Sequence, residues 1–230
     1  MSIGSRIGKT LAPNVGQLAP GLTTTFVQEA LDRAIHGVGP LPPAAKAADK
    51  QLAEQHGDVE RAVHEVIENH VRFAGAQGFV TNIGGLVTLA VTIPANITGL
   101  TLLQCRMVAG VAHLRGYDLE DQRVRNAILA AVLGEETVLR LIKHKQLPGT
   151  PMALATAPVH DPGLNQVMAA QVASAMVTSV AGKRLAISAG KRVPVVGGLV
   201  GAGTDAWSTW KVGRYVQREF LPRSRPRSER

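Results

Sequence analysis

A chain of 230 residues has room for one domain with appendages and for a substantial buried core. Its apolar content, 45% of residues with only 3% aromatic, comes from alanine, valine and leucine, small side chains that favour closely packed helices. The formal charge of +8 is weighted toward the C-terminus, where Arg214, Arg218, Arg223, Arg225, Arg227 and Arg230 stand. Such a tail suits contact with an anionic membrane surface or plain solvation, and nucleic acid is not the expected partner. The single cysteine, Cys105, excludes a disulfide within the chain and fits a reducing compartment.

The segment 1–22 is rich in Gly, Pro and Ser, has little periodicity, and reads as a mobile N-terminal segment. Its basic residues are not followed by an apolar run, so no signal peptide is expected. Thr25 and Gln28 have capping-box spacing and Gly37 suits a C-terminal cap, which predicts a first helix over 26–36. Pro40, Pro42 and Pro43 form a stiff connector, and a short polar helix then reaches Gln55. Asp58 is placed to cap the next helix. Its inward face is Val59, Ala62, Val63, Val66, Ile67, His70 and Ala74, and Glu60, Arg61, Glu65, Glu68 and Arg72 lie opposite.

From Phe73 to Cys105 there is no charged side chain. Gly84, Gly85 and Pro94 interrupt the run, so two helices meeting near Pro94 describe it better than one spanning helix. The pair is either the core of a helical domain or a hairpin set into a membrane, and the sequence leaves both open. A long buried helix is predicted from Pro94 to Arg115, ended by Gly116. Asp118 is expected to cap a helix over 119–133, Gly134 to break it, and a short amphipathic helix to follow until Pro148. The prolines of 147–163 predict a loop. Helices are predicted again over 164–189 and from Pro194 to Phe220. No segment alternates with period two, so the fold class is all-α: one helical domain over 23–220 with Gly-rich apolar hairpins at its core, and a basic tail over 221–230.

Catalytic and metal motifs fail on spacing. Gly4 to Thr10 has one residue too few between its glycines for a phosphate loop and no room for a preceding strand. His64-Glu65 opens like a zinc-protease motif, but Glu68 stands where histidine is needed. Gly197, Gly198 and Gly201 read as close helix packing, as do Gly84 and Gly85. No catalytic residue, metal or cofactor is expected.

Two charges lie inside apolar helices, Arg106 and Asp205. A buried charge needs a partner, so the two are expected to be neighbours, with Gln104, His113 and Tyr117 completing a structural polar cluster or a ligand pocket.

The blocks GGxxTxxxxxP (Gly84, Gly85, Thr88, Pro94), QxRM (Gln104, Arg106, Met107), HLxGYDL (His113 to Leu119) and VPVVGG through Asp205 make the chain resemble the EcsC protein family over about 58–220. Asn96 stands where family members often have Asp. The resemblance implies a membrane-associated, non-catalytic accessory of transport or secretion, since the family is named for a component encoded beside an ABC transporter. It implies a cytoplasmic protein attached peripherally to the inner membrane or to a membrane transport complex. It gives no catalytic residues and no oligomeric state. Two alternatives stand beside it: a helical enzyme or small-ligand-binding protein using the pocket around Arg106 and Asp205, and a soluble helical scaffold.

Overall fold

The computed structural model describes residues 20–38, 41–83, 95–189 and 194–223. The described chain is all-α. Its helices are α1 (Pro20–His36), α2 (Ala44–Glu54), α3 (Val59–Ile83), α4 (Ala95–Leu114), α5 (Gln122–Leu133), α6 (Glu135–Lys143), α7 (Pro151–Ala155), α8 (Pro162–Ala189) and α9 (Pro194–Glu219).

Helix α4 is the centre. Every residue from Gln104 to Ala112 is buried, and α1, α2, α3, α5 and α9 pack around it. A helix apolar on all faces must be enclosed on all faces, and the middle of the run expected between Pro94 and Gly116, from Gln104 to Ala112, is enclosed in this way; Pro94 lies outside the described residues. Gly116 ends it at φ +83°, a left-handed conformation that a side chain would strain, and Tyr117 N–H returns to the Ala112 carbonyl at 3.0 Å. α8 then covers α1 and α5, and α6 and α7 pack on α5.

Helices α3, α4 and α9 form the tightest unit. Gly213 of α9 faces Ile67 of α3, and a Cβ built there would lie 2.5 Å from Ile67 Cγ2. At the end of α4, Arg115 grips Glu60 at the start of α3 and Tyr117 meets Phe220 just past α9, whereas earlier residues of α4 meet later residues of α3 and earlier residues of α9, so α3 and α9 are antiparallel. Gly110 of α4 faces Val66 of α3, and Gln104 reaches Ser208 and Thr209 of α9. α4 is thus antiparallel to α3 and parallel to α9. The C-terminal part of α3 and the N-terminal parts of α4 and α9 share one end of the bundle.

Several local expectations shift. α1 begins at Pro20, not residue 26, so Thr25 lies inside the helix rather than at its cap, and the expected mobile segment ends earlier. The other residues of that segment, 1–19, lie outside the described residues. The cap of α5 is Asp121, whose side chain accepts from Arg123 N–H at 2.8 Å. Asp118 instead closes a turn, accepting from Glu120 N–H at 3.0 Å. The proline-rich loop 147–163 contains α7, started by Pro151, a residue pre-set for the first turn of a helix. Asp58 caps α3 as expected, accepting from Arg61 N–H at 3.0 Å.

The Gly213 contact sets a stability test. Gly213→Val should destabilise the fold by about 1–3 kcal/mol, the cost of overpacking a closed interface. Adding Ile67→Ala should cost less than the sum of the two single changes, because the two side chains compete for one space. Urea denaturation of the three variants reads this directly, and simple additivity would contradict the close α3–α9 approach.

Candidate functional site

Five residues were expected to gather at one polar site: Gln104, Arg106, His113, Tyr117 and Asp205. The structure distributes them. Gln104 and Arg106 are two residues apart on α4, which turns their side chains roughly 200° from one another. Gln104 donates toward α9, to Ser208 Oγ at 3.1 Å and Thr209 Oγ1 at 3.3 Å. Asp205 is buried one turn before Thr209 on α9, hence on the Gln104 side. Arg106 turns to α1, where its hydrogen bond is to the Ala34 carbonyl at 3.5 Å. The expected neighbour of Arg106 is therefore replaced by a backbone carbonyl and by His70 of α3. His113 and Tyr117 lie farther along again, since nine residues of helix separate Gln104 from His113, about 14 Å.

Arg106 and His70 share an electrostatic problem. Burial lowers the affinity of Arg106 for its proton. His70 is partly buried and its Nδ1 lies 2.7 Å from the Val66 carbonyl, so Nδ1 carries the proton and donates it. Burial pulls His70 down to about 4; the Val66 bond opposes this and the Arg106 charge adds to it. A neutral imidazole beside the guanidinium avoids stacking two cations in the core. Cys105, next to Arg106, is fully buried with its thiol pushed up to about 12 by burial, so it is a small core hydrophobe.

The HLxGYDL block builds a clasp at the C-terminal end of α4. His113 Nε2 lies 2.8 Å from Asp49 Oδ1 of α2. Arg115, 6% exposed, grips both carboxylate oxygens of Glu60 at the start of α3. Its carbonyl accepts from Arg223 N–H at 2.8 Å. The Tyr117 ring meets Phe220 edge-on at 5.1 Å between centroids, and the Arg223 guanidinium lies 5.2 Å from the ring centre. His36 Nε2 of α1 reaches Glu120 Oε1 at 3.0 Å. Between these contacts lies a cleft of about 250 Å³ lined by His36, His113, Tyr117, Asp118 and Glu120 among others. The polar groups of the block tie α1, α2, α3 and the end of α9 to α4. Arg115 and Asp49 were missed in the sequence because each stands among ordinary charged helix-surface residues, and only the packing partner marks it; His70 was placed on the inward face of its helix, but its nearness to Arg106 needed the packing.

The arginines expected to touch a membrane also separate. Arg223 is part of the clasp, and Arg218 pairs with Glu135. The described end of α9 sits against Tyr117, opposite the end where α9 and α4 begin. Arg214 is exposed on the side of α9, 3.2 Å from Gln217 Oε1. Arg225, Arg227 and Arg230 lie outside the described residues, as do Gly84 and Gly85; Gly197, Gly198 and Gly201 fall in the first turns of α9. Among the described residues no helix is long and apolar enough to cross a membrane.

The His70 position predicts an acid-sensitive fold. An unfolded imidazole binds its proton near 6.5, whereas the folded one refuses it until about 4. The stability this contributes is full above 6.5 and is lost as pH falls to about 4. The effect is at most about 3 kcal/mol. Urea denaturation at the two ends of this window should show a smaller pH difference for His70→Gln than for the natural chain; equal differences would contradict the buried neutral imidazole.

The EcsC protein family profile matches residues 2–224, so the match extends past the 58–220 that carries the sequence resemblance. A protein from Bacillus subtilis (strain 168), called uncharacterized protein YdbA, is 27% identical over 158 residues, covering 56% of this chain and 57% of that relative. The chain thus spans little more than half the length of the curated relative it matches. No solved structure matches the chain. With the profile covering nearly the whole sequence, the chain belongs to the EcsC protein family.

Proposed function

We propose that the protein is a membrane-associated, non-catalytic accessory of transport or secretion, attached to the cytoplasmic face of the inner membrane by one end of its helical bundle. The observation that carries this reading is the placement of uncharged helix. Residues 73–83 of α3, 95–105 of α4 and 194–204 of α9 contain no charged residue, and the antiparallel register puts these three stretches at one end. The opposite end is the clasp, dense in ion pairs. Three uncharged helical stretches gathered together suit contact with a membrane surface, and Lys183, Arg184, Lys191 and Arg192, which precede α9 in sequence, suit anionic headgroups. The role in transport or secretion rests on family resemblance, and the spread of Gln104, Arg106, His113, Tyr117 and Asp205 over separate contacts gives no support to the single pocket of the enzyme alternative.

Flotation with vesicles tests the attachment. The full chain should float with phosphatidylcholine vesicles containing phosphatidylglycerol, and deletion of 224–230 should leave most of that binding in place because the tail leaves from the clasp end. A chain that stays unbound with both neutral and anionic vesicles would contradict the reading. Loss of binding on deleting 224–230 would move the attachment to the tail.

A further inference from the structure

Gly203, Trp207, Trp210, Lys211 and Arg214 of α9 are all exposed. At about 100° per residue they fall within an arc of about 100° and rise about 16 Å, so they form one strip along the helix. Trp207 is 60% exposed and Trp210 is 43% exposed, and their rings stack with centroids 4.9 Å apart. The chain has two tryptophans, and both are left in water on this strip. The buried residues Asp205, Thr209, Val212 and Val216 lie on the other side of α9, so Asp205 is not part of it. The strip carries base without acid. Glu68 of α3 lines a groove with Trp210 and Arg214, but it is held by Arg72 at 2.6 Å and by His64 Nε2 at 3.4 Å. Glu135 is held by Arg218. Among the described residues no ion pair involves Lys211 or Arg214, and the Arg214 guanidinium donates to Gln217 Oε1 at 3.2 Å.

We infer that this strip lies along the plane of an anionic membrane surface, with Trp207 and Trp210 in the interfacial layer and Lys211 and Arg214 against lipid phosphates. The inference rests on the membrane reading above and adds the surface that meets the lipid: contact continues from the uncharged stretch of α9 along the outer side of that helix. Tryptophan suits the interfacial layer because its ring is apolar and its N–H needs a polar partner. Lysine and arginine extend apolar stems from the same level and set their charges among the phosphates. A helix lying in the plane stays at headgroup depth over its whole length, which suits Lys191 and Arg192, just before its start in sequence. A protein partner would also take tryptophan and arginine, but lysine is depleted from such interfaces, whereas an anionic leaflet attracts both bases. A second copy in a two-fold pair would bring the same strip, and the same charges, against themselves.

Both tryptophans belong to the strip, so intrinsic fluorescence reports on it alone. The full chain is mixed with phosphatidylcholine vesicles, with and without phosphatidylglycerol, the phosphatidylcholine being brominated either high or low on its acyl chains. Emission should shift to the blue when phosphatidylglycerol is present, with stronger quenching from the upper bromines. Lys211→Gln with Arg214→Gln should weaken partitioning about thirtyfold, the loss expected for two basic contacts, with an unchanged helical circular dichroism spectrum. Flotation without a change in tryptophan emission, or undiminished by these two changes, would overturn this surface and leave membrane attachment standing. Failure to float would overturn both. Stronger quenching from the lower bromines would mean insertion instead of contact in the plane, and would overturn the inference. A dimer in sedimentation that Trp207→Ser with Trp210→Ser dissociates would assign the strip to a second copy of the chain and overturn it too.

Discussion

The enclosure of α4 governs the rest of the structure. From Gln104 to Ala112 the helix has no face left for water, so each polar group it carries must find its partner in a neighbouring helix. Rotation along the helix assigns those partners. Gln104 goes to α9, Arg106 to α1 with His70 of α3 beside it, and His113 to α2. What looked like one polar site in the linear sequence is a set of separate fastenings, each holding a different helix to the centre.

The same helix divides the molecule lengthwise. Its first half carries no charge, and its second half runs into the clasp of Arg115, Tyr117 and their partners. α3 and α9 repeat that division because they pack alongside α4 in fixed register. Contacts at the clasp close helix ends onto the core: the Arg115–Glu60 ion pair holds the start of α3, and Phe220 and Arg223 against the Tyr117 ring hold the end of α9. The uncharged stretches of these three helices are thereby set apart from the clasp.

Much of this was legible in the sequence, and the failures have physical causes. Helical periodicity, Asp58 and Gly116 located α3 and α4 because caps and apolar spacing act locally. The cap of α5 was misplaced because Asp118 and Asp121 compete within a few positions, and the start of α1 because the capping-box spacing of Thr25 and Gln28 occurs inside a helix that already begins at Pro20. Pairing Arg106 with Asp205 relied on opposite sign alone. The two-residue offset between Gln104 and Arg106 already put them on opposite faces, and this was the sequence signal available against a shared site. The exposed tryptophans carried no such signal, because an aromatic in an apolar helix reads as core until the packed face of that helix is known.

Hydrogen–deuterium exchange on the full chain, with and without anionic vesicles, measures the central claim most directly, namely that the uncharged end of α3, α4 and α9 is the membrane-facing part. The account predicts added amide protection over 73–83, 95–105 and 194–204, with the clasp at 113–123 unchanged. Protection appearing at the clasp instead, or equally along the whole bundle, would contradict it.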